Sequence, residues 1–187
     1  MTPAEFQDRW TAEGGELVLF APSALADVRM PAEARAFLLN VGLPRSAVPY
    51  LDFRSPSGSP LPTASEMWQL PDGFSHYRVI GSNGSGDPVC IDEDEDGAIV
   101  YLNHDNEFAR VFINSSVPQL AECLLAFRGL IRESQSRNGP DAYLDGNLPN
   151  DLLDAFVETL KAVDGVTLYD DSMWEAEVTD AYNRRAL

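Results

Sequence analysis

Basic charge is what this chain has least of. Of its 187 residues only thirteen are Lys or Arg, against thirty Asp or Glu, and the formal net charge at pH 7 is −17. Lys161 is the single lysine, and His76 and His104 are the only histidines. Phosphate contacts need positive charge, so binding to nucleic acid or to an anionic membrane surface is disfavoured. Cysteine is nearly as scarce. Cys90 and Cys123 sit in apolar stretches without the spacing of a zinc site or a redox pair, and no neighbouring base favours a thiolate. Two such thiols fit a reducing, cytoplasmic setting. Apolar runs fall well short of the roughly 20 residues of a membrane span. The opening MTPAEFQDRW lacks the basic segment and apolar stretch of a signal peptide.

Enzyme signatures are also missing. The serines have no G-x-S-x-G elbow, and neither histidine has a partner at zinc-ligand spacing. Carboxylates abound, but no spacing selects an acid and base pair. The expectation is a protein without catalysis, cofactor or metal.

The charge that is present is unevenly spread. Residues 87–107 carry eight acids and no Lys or Arg, and residues 141–180 carry eleven acids and one base. The rest of the chain is close to neutral. A solvated acidic coat and a surface that steers a basic partner are both open to such a pattern.

The hydrophobic pattern changes period along the chain. Thr2, Pro3 and Glu5 form a capping pattern, and Phe6 and Trp10 lie four apart, which predicts a helix over 3–13. Leu17–Phe20 reads as a strand. Pro31 and Gly42 bracket a second helix over 31–41. Residues 43–62 hold five prolines and read as a loop around a short strand at Tyr50–Phe53. Then Tyr77–Ile80, Val89–Ile91, Ile99–Leu102 and Arg110–Ile113 follow at about ten-residue spacing, separated by Gly, Asp and Asn, as in a meander of hairpins. Leu120, Leu124, Phe127 and Ile131 recur at four, three and four, one apolar stripe of a helix. Beyond Asn138-Gly139-Pro140, Asn150 is placed to cap a helix to about Val163, and Ser172 with Glu175 opens a terminal one. The fold class is α+β: a central antiparallel sheet flanked by helices, with a C-terminal helical extension. A single domain is expected over 1–187, its core about 3–135 and its extension, about 140–187, packed on that core.

Four local patterns invite chemistry. Asp92-Glu93-Asp94-Glu95-Asp96-Gly97 matches the start of an EF-hand loop, with Ile99 at the eighth position. Position twelve is Asn103 rather than Glu, and both flanks read as strand, so the run reads as a polar hairpin turn with Asp96-Gly97 at its tip, with weak calcium binding as the alternative. Gly81-Ser82-Asn83-Gly84-Ser85-Gly86 lacks the following Lys-Ser/Thr and helix of a phosphate loop and reads as a flexible turn. His104 beside Asp105 is the pattern of a base with an orienting carboxylate, but more often of a polar turn between strands. Among the tryptophans, Trp68 beside the proline-rich loop is a candidate exposed anchor, and Trp10 and Trp174 read as packing.

Several segments then fall in a familiar order. Phe37-Leu38-Leu39-Asn40-Val41-Gly42-Leu43-Pro44 is followed by Ile80-Gly81-Ser82, by Gly86-Asp87-Pro88-Val89-Cys90-Ile91-Asp92 and by Asn103-His104-Asp105. Phe112-Ile113-Asn114-Ser115-Ser116 leads into Gln119-Leu120-Ala121-Glu122-Cys123-Leu124. From about residue 30 to 135 the chain resembles the fourth subgroup of the SUKH superfamily of bacterial toxin-immunity proteins. That resemblance implies an α+β domain without catalysis that neutralises a polymorphic toxin, often a nuclease or nucleotide deaminase, by binding it. The partner expected is a basic protein toxin domain, and the candidate contact residues are Asp92, Glu93, Asp94, Glu95, Asp96 and Trp68. An intracellular scaffold or regulator of the same fold is the alternative.

Overall fold

A computed structural model describes residues 1–184. The N-terminal helix α1 (Pro3–Thr11) starts on the Thr2–Glu5 capping box, with Phe6 and Trp10 buried. The strand expected at Leu17–Phe20 is only β1 (Leu17–Val18), paired with β2 (Leu43–Pro44). Between them lie the one-turn helix α2 (Pro22–Leu25) and α3 (Ala32–Asn40).

Among the described residues six further strands form one sheet: β3 (Ser46–Ala47), β4 (Leu51–Phe53), β5 (Tyr77–Ser82), β6 (Pro88–Asp92), β7 (Ala98–Asn103) and β8 (Ala109–Asn114). Their order in space is their order in sequence and every pairing is antiparallel, so the meander read from the ten-residue spacing is the fold. Asp96 and Gly97 turn the β6–β7 hairpin with φ of 50° and 79°, the left-handed pair that a tight turn between twisted strands requires.

Alternation along the strands assigns two faces. Val89 and Ile91 join Ile80, Ile99 and Ile113 in the main core under helix α5 (Val117–Asn138). Cys90 points the other way, into a smaller cluster with Tyr77, Val79, Val100 and Leu102. That second face is covered by α4 (Ala64–Trp68), a helix missing from the sequence reading, and by a 3-10 turn at Asp72–Phe74. Thr63 and Glu66 close a reciprocal capping box on α4.

The C-terminal helices α6 (Asn150–Val163) and α7 (Met173–Arg184) pack on α5. Phe127 of α5 meets Phe156 at 5.2 Å and Trp174 at 5.6 Å between ring centroids. Such ring pairs add about 0.5–1.5 kcal/mol each beyond the area they bury. Asn150 is the first residue of α6 and Pro149 holds the cap position, one residue earlier than expected.

Candidate partner-binding surface

The acidic turn is only partly a surface. Asp92 is 1% exposed, and its Oδ2 accepts from Arg110 Nε at 2.9 Å while its Oδ1 accepts the Asp94 amide at 3.2 Å. The Glu93 side chain is likewise buried, 3.1 Å from Arg78 Nε, and its Oε1 accepts the Arg29 amide at 2.8 Å. These two carboxylates are therefore not offered to a partner, which corrects their place in the expected contact surface. The cause is register: arginines distant in sequence fold onto the turn, and a desolvated carboxylate needs such donors. Asp94, 58% exposed, meets Arg29 at 2.9 Å, and Glu95 and Asp96 face solvent.

Trp68 is half-buried at the edge of the second sheet face, whereas Trp10 and Trp174 are buried. Its ring meets Phe108 at 6.4 Å, Phe108 meets Phe74 at 6.2 Å, and Phe74 meets Tyr77 at 6.2 Å. The His76 ring lies tilted against Tyr77, 3.9 Å between centroids, and 3.7 Å from Asp94. The structure thus joins Trp68 to the acidic turn through one run of rings. Beside Trp68, the exposed Met67 with Pro56, Pro62 and Val79 lines an open groove of about 520 Å³.

Two polar centres lie elsewhere. The buried Asp87 accepts the His104 amide at 2.9 Å, the Asn83 side-chain amide at 2.8 Å and the His104 ring Nδ1 at 2.5 Å. Burial pushes the Asp87 carboxyl up, but those hydrogen bonds outweigh it and hold the group below its usual value. The Asp87 hydrogen bond raises His104 in turn. The carboxylate closest to His104 is therefore Asp87, from another loop, at Nδ1, while its neighbour Asp105 lies 3.4 Å from Nε2. The glycine-rich turn is braced by the same Asn83–Asp87 contact. No nucleophile stands beside this pair among the described contacts.

The second centre fastens the C-terminal segment. Asn114, fully buried, donates to Asp164 Oδ2 and Thr167 Oγ1, both at 3.1 Å, and accepts from Trp174 Nε1 at 3.0 Å. Ser115 gives its amide and its hydroxyl to Asp164 at 2.8 and 2.9 Å. Ser116 caps α5. The Asn-Ser-Ser start of α5 is thus also the anchor of the 140–187 extension.

Both thiols are free and buried, and burial pushes Cys123 up to about 12 and Cys90 higher still. Neither has the exposure or the low pKa of a reactive thiolate. Among the described residues no group of three or more His, Cys, Asp or Glu is arranged to hold a metal ion. Nor is any helix there long and apolar enough to cross a membrane.

Comparison with known proteins gives one match. The family model described as SUKH-4 immunity protein covers residues 2–180, well beyond the 30–135 stretch that carries the resemblance. No curated protein and no solved structure matches the chain. A match over nearly the whole length, on the α+β meander described above, means that this chain belongs to the SUKH-4 immunity protein family.

Proposed function

We propose that this protein neutralises a toxin by binding it, without catalysis, through the outer side of the α4 and Asp72–Phe74 layer that covers the second face of its sheet. Family membership supplies the immunity role. The observation that carries the choice of face is the continuity of the aromatic run Trp68–Phe108–Phe74–Tyr77–His76 with the exposed acids Asp94, Glu95 and Asp96. Stable interfaces centre on buried aromatic anchors within a polar rim. Exposed ion pairs contribute only about 0–1 kcal/mol each, so the acids would act mainly on the rate of encounter.

The partner that fits is a basic toxin domain. An enzyme acting on nucleic acid must present positive charge to phosphate, and an acidic inhibitor meets that face by steered association. Neutralisation would take place in the cytoplasm, where two unpaired, buried thiols stay reduced.

Co-expression of the tagged protein with the toxin domain encoded beside it tests the reading. A complex that survives purification and suppresses the toxin's activity is expected. If the folded protein neither retains nor silences that domain, the reading fails and the scaffold alternative takes its place.

A further inference from the structure

A separate site lies at the other end of β6 from the acidic turn. Tyr50, Tyr101 and Glu177 line an open cavity of about 390 Å³ that Asn83 and Gly84 close from the side. The size is at the low end of the roughly 300–1,000 Å³ of small-molecule pockets. Four stretches remote in sequence build it: the loop after β3, the 83–87 turn, β7 and α7.

Three features set its chemistry. Tyr50 is 62% exposed at φ 63°, a left-handed conformation uncommon for a bulky residue, so an apolar ring is held out against its backbone preference. A Cβ on Gly84 would lie 2.9 Å from the Tyr50 Cβ, so the absent side chain at residue 84 is what lets the ring stand there. Glu177 contributes a partly desolvated carboxylate: burial raises it first, the Asp180 charge adds to that, and the Arg184 charge and a Tyr143 hydrogen bond oppose them. The Arg184 guanidinium is already bound to Asp180 at 2.6 Å. Tyr143 lies close enough to Glu177 to feel its charge.

We infer that this cavity receives an arginine side chain from a protein partner, with the guanidinium between the Tyr50 and Tyr101 rings and hydrogen-bonded to Glu177. Guanidinium is the cation that both stacks on aromatic faces and offers a planar fork to a carboxylate, and it sheds water more readily than ammonium. The site is distinct from the Trp68 face and does not depend on the toxin being correctly identified.

The test uses the full chain with its tyrosines carbon-13 labelled, six signals in all. The probe is acetyl-Gly-Arg-Gly-amide, and the control is the same peptide with neutral, isosteric citrulline. The arginine peptide is expected to shift Tyr50 and Tyr101 saturably while Tyr77 stays still, and the citrulline peptide to bind at least about tenfold more weakly. Glu177→Gln, which keeps an acceptor for Tyr143, should weaken the arginine peptide about tenfold. Gly84→Ala should weaken it by displacing the Tyr50 ring, and Glu33→Gln on α3, exposed and outside the cavity, should leave it unchanged. Equal shifts from both peptides, or no saturable shift, overturn the assignment. Because no toxin is present, that result would leave neutralisation standing, and a failed co-purification would leave the pocket standing.

Discussion

Residues 87–107 and 141–180 look alike as charge, with net values of −8 and −10, yet the fold treats them differently. The first stretch is met by bases from elsewhere: Arg110 on Asp92, Arg78 and Arg29 on Glu93, Arg29 on Asp94. The second is met sparingly and at its surface, by Arg137 on Asp151, Lys161 on Glu158 and Arg184 on Asp180. Asp141, Asp145, Asp170 and Asp171 are exposed, and none of them takes part in an ion pair among the described residues. A run of acid in a sequence therefore measures surface potential only after the positions of the arginines are known. Each stretch also commits carboxylates to the interior: Asp87, Asp92 and the Glu93 side chain in the first, Asp164 in the second. Asp92 is held by a guanidinium, whereas the side-chain and amide donors on Asp164 are the neutral Asn114 and Ser115.

The sharpest way to separate the two is to remove those interior carboxylates. Asp164→Ala leaves the Ser115 amide, the Ser115 hydroxyl and one Asn114 donor short of an acceptor inside the protein. Each orphaned group costs about 1–3 kcal/mol, so a loss of about 3–5 kcal/mol is expected, read from the urea midpoint. The aromatic contacts of Trp174 should loosen with it, which near-UV circular dichroism would report. Asp92→Ala should cost less, about 2 kcal/mol, because the Arg110 side chain is about one-third exposed and can turn to water. Equal losses in the two variants would show that the guanidinium and the neutral donors hold their carboxylates equally well, and the contrast would collapse.

The sheet could be read in advance because its information is local. Short β-rich runs from Tyr77 to Ile113, punctuated by Gly, Asp and Asn clusters such as Asp96-Gly97, set strands and turns without reference to distant groups. The α5 stripe of Leu120, Leu124 and Phe127 is local in the same way. Helix α4 escaped although Thr63 and Glu66 carry the capping spacing, because it spans five residues behind a proline-rich loop and buries only Ala64 of its own. The site was less legible still. Asp92 and Arg110, Asp87 and His104, and Asn114 and Asp164 each meet only through tertiary register, across 18, 17 and 50 residues. Spacing along the chain therefore offered Asp105 for His104 but not the shorter contact from Asp87, and presented Asp92 as a surface charge. Trp68, expected as an exposed anchor beside the proline-rich loop, ends α4 and is half-buried against Phe108.

The exposed part of the acidic turn should behave in the opposite way to its interior. Changing Asp94, Glu95 and Asp96 together to Asn, Gln and Asn should leave stability within about 0.5 kcal/mol, since surface substitutions of this kind rarely do more. Association with the toxin domain should slow several-fold at low salt, and the difference from the unmodified protein should fade as ionic strength rises. Stopped-flow binding at two salt concentrations measures this. An unchanged rate at low salt would move the steering role to the 141–180 carboxylates.

The smallest effect expected is a pH slope at Asp87 and His104, at the two ends of the first stretch. Asp87 is held below its usual value of about 3.9, so its contribution is present above that pH and is lost as pH falls through the folded value. His104 is raised above about 6.5, so its contribution is complete below that pH and is lost as pH rises through the folded value. The contact is therefore strongest between about pH 4 and 6.5. His104→Gln keeps the backbone amide that Asp87 accepts while removing the titrating ring. The unmodified protein should lose some Tm on the alkaline side of that window, and the variant should lose less, with the acid side little changed. Identical alkaline slopes would mean that the ring, 2.5 Å from the carboxylate, is positioned by the turn and contributes no charge of its own to stability.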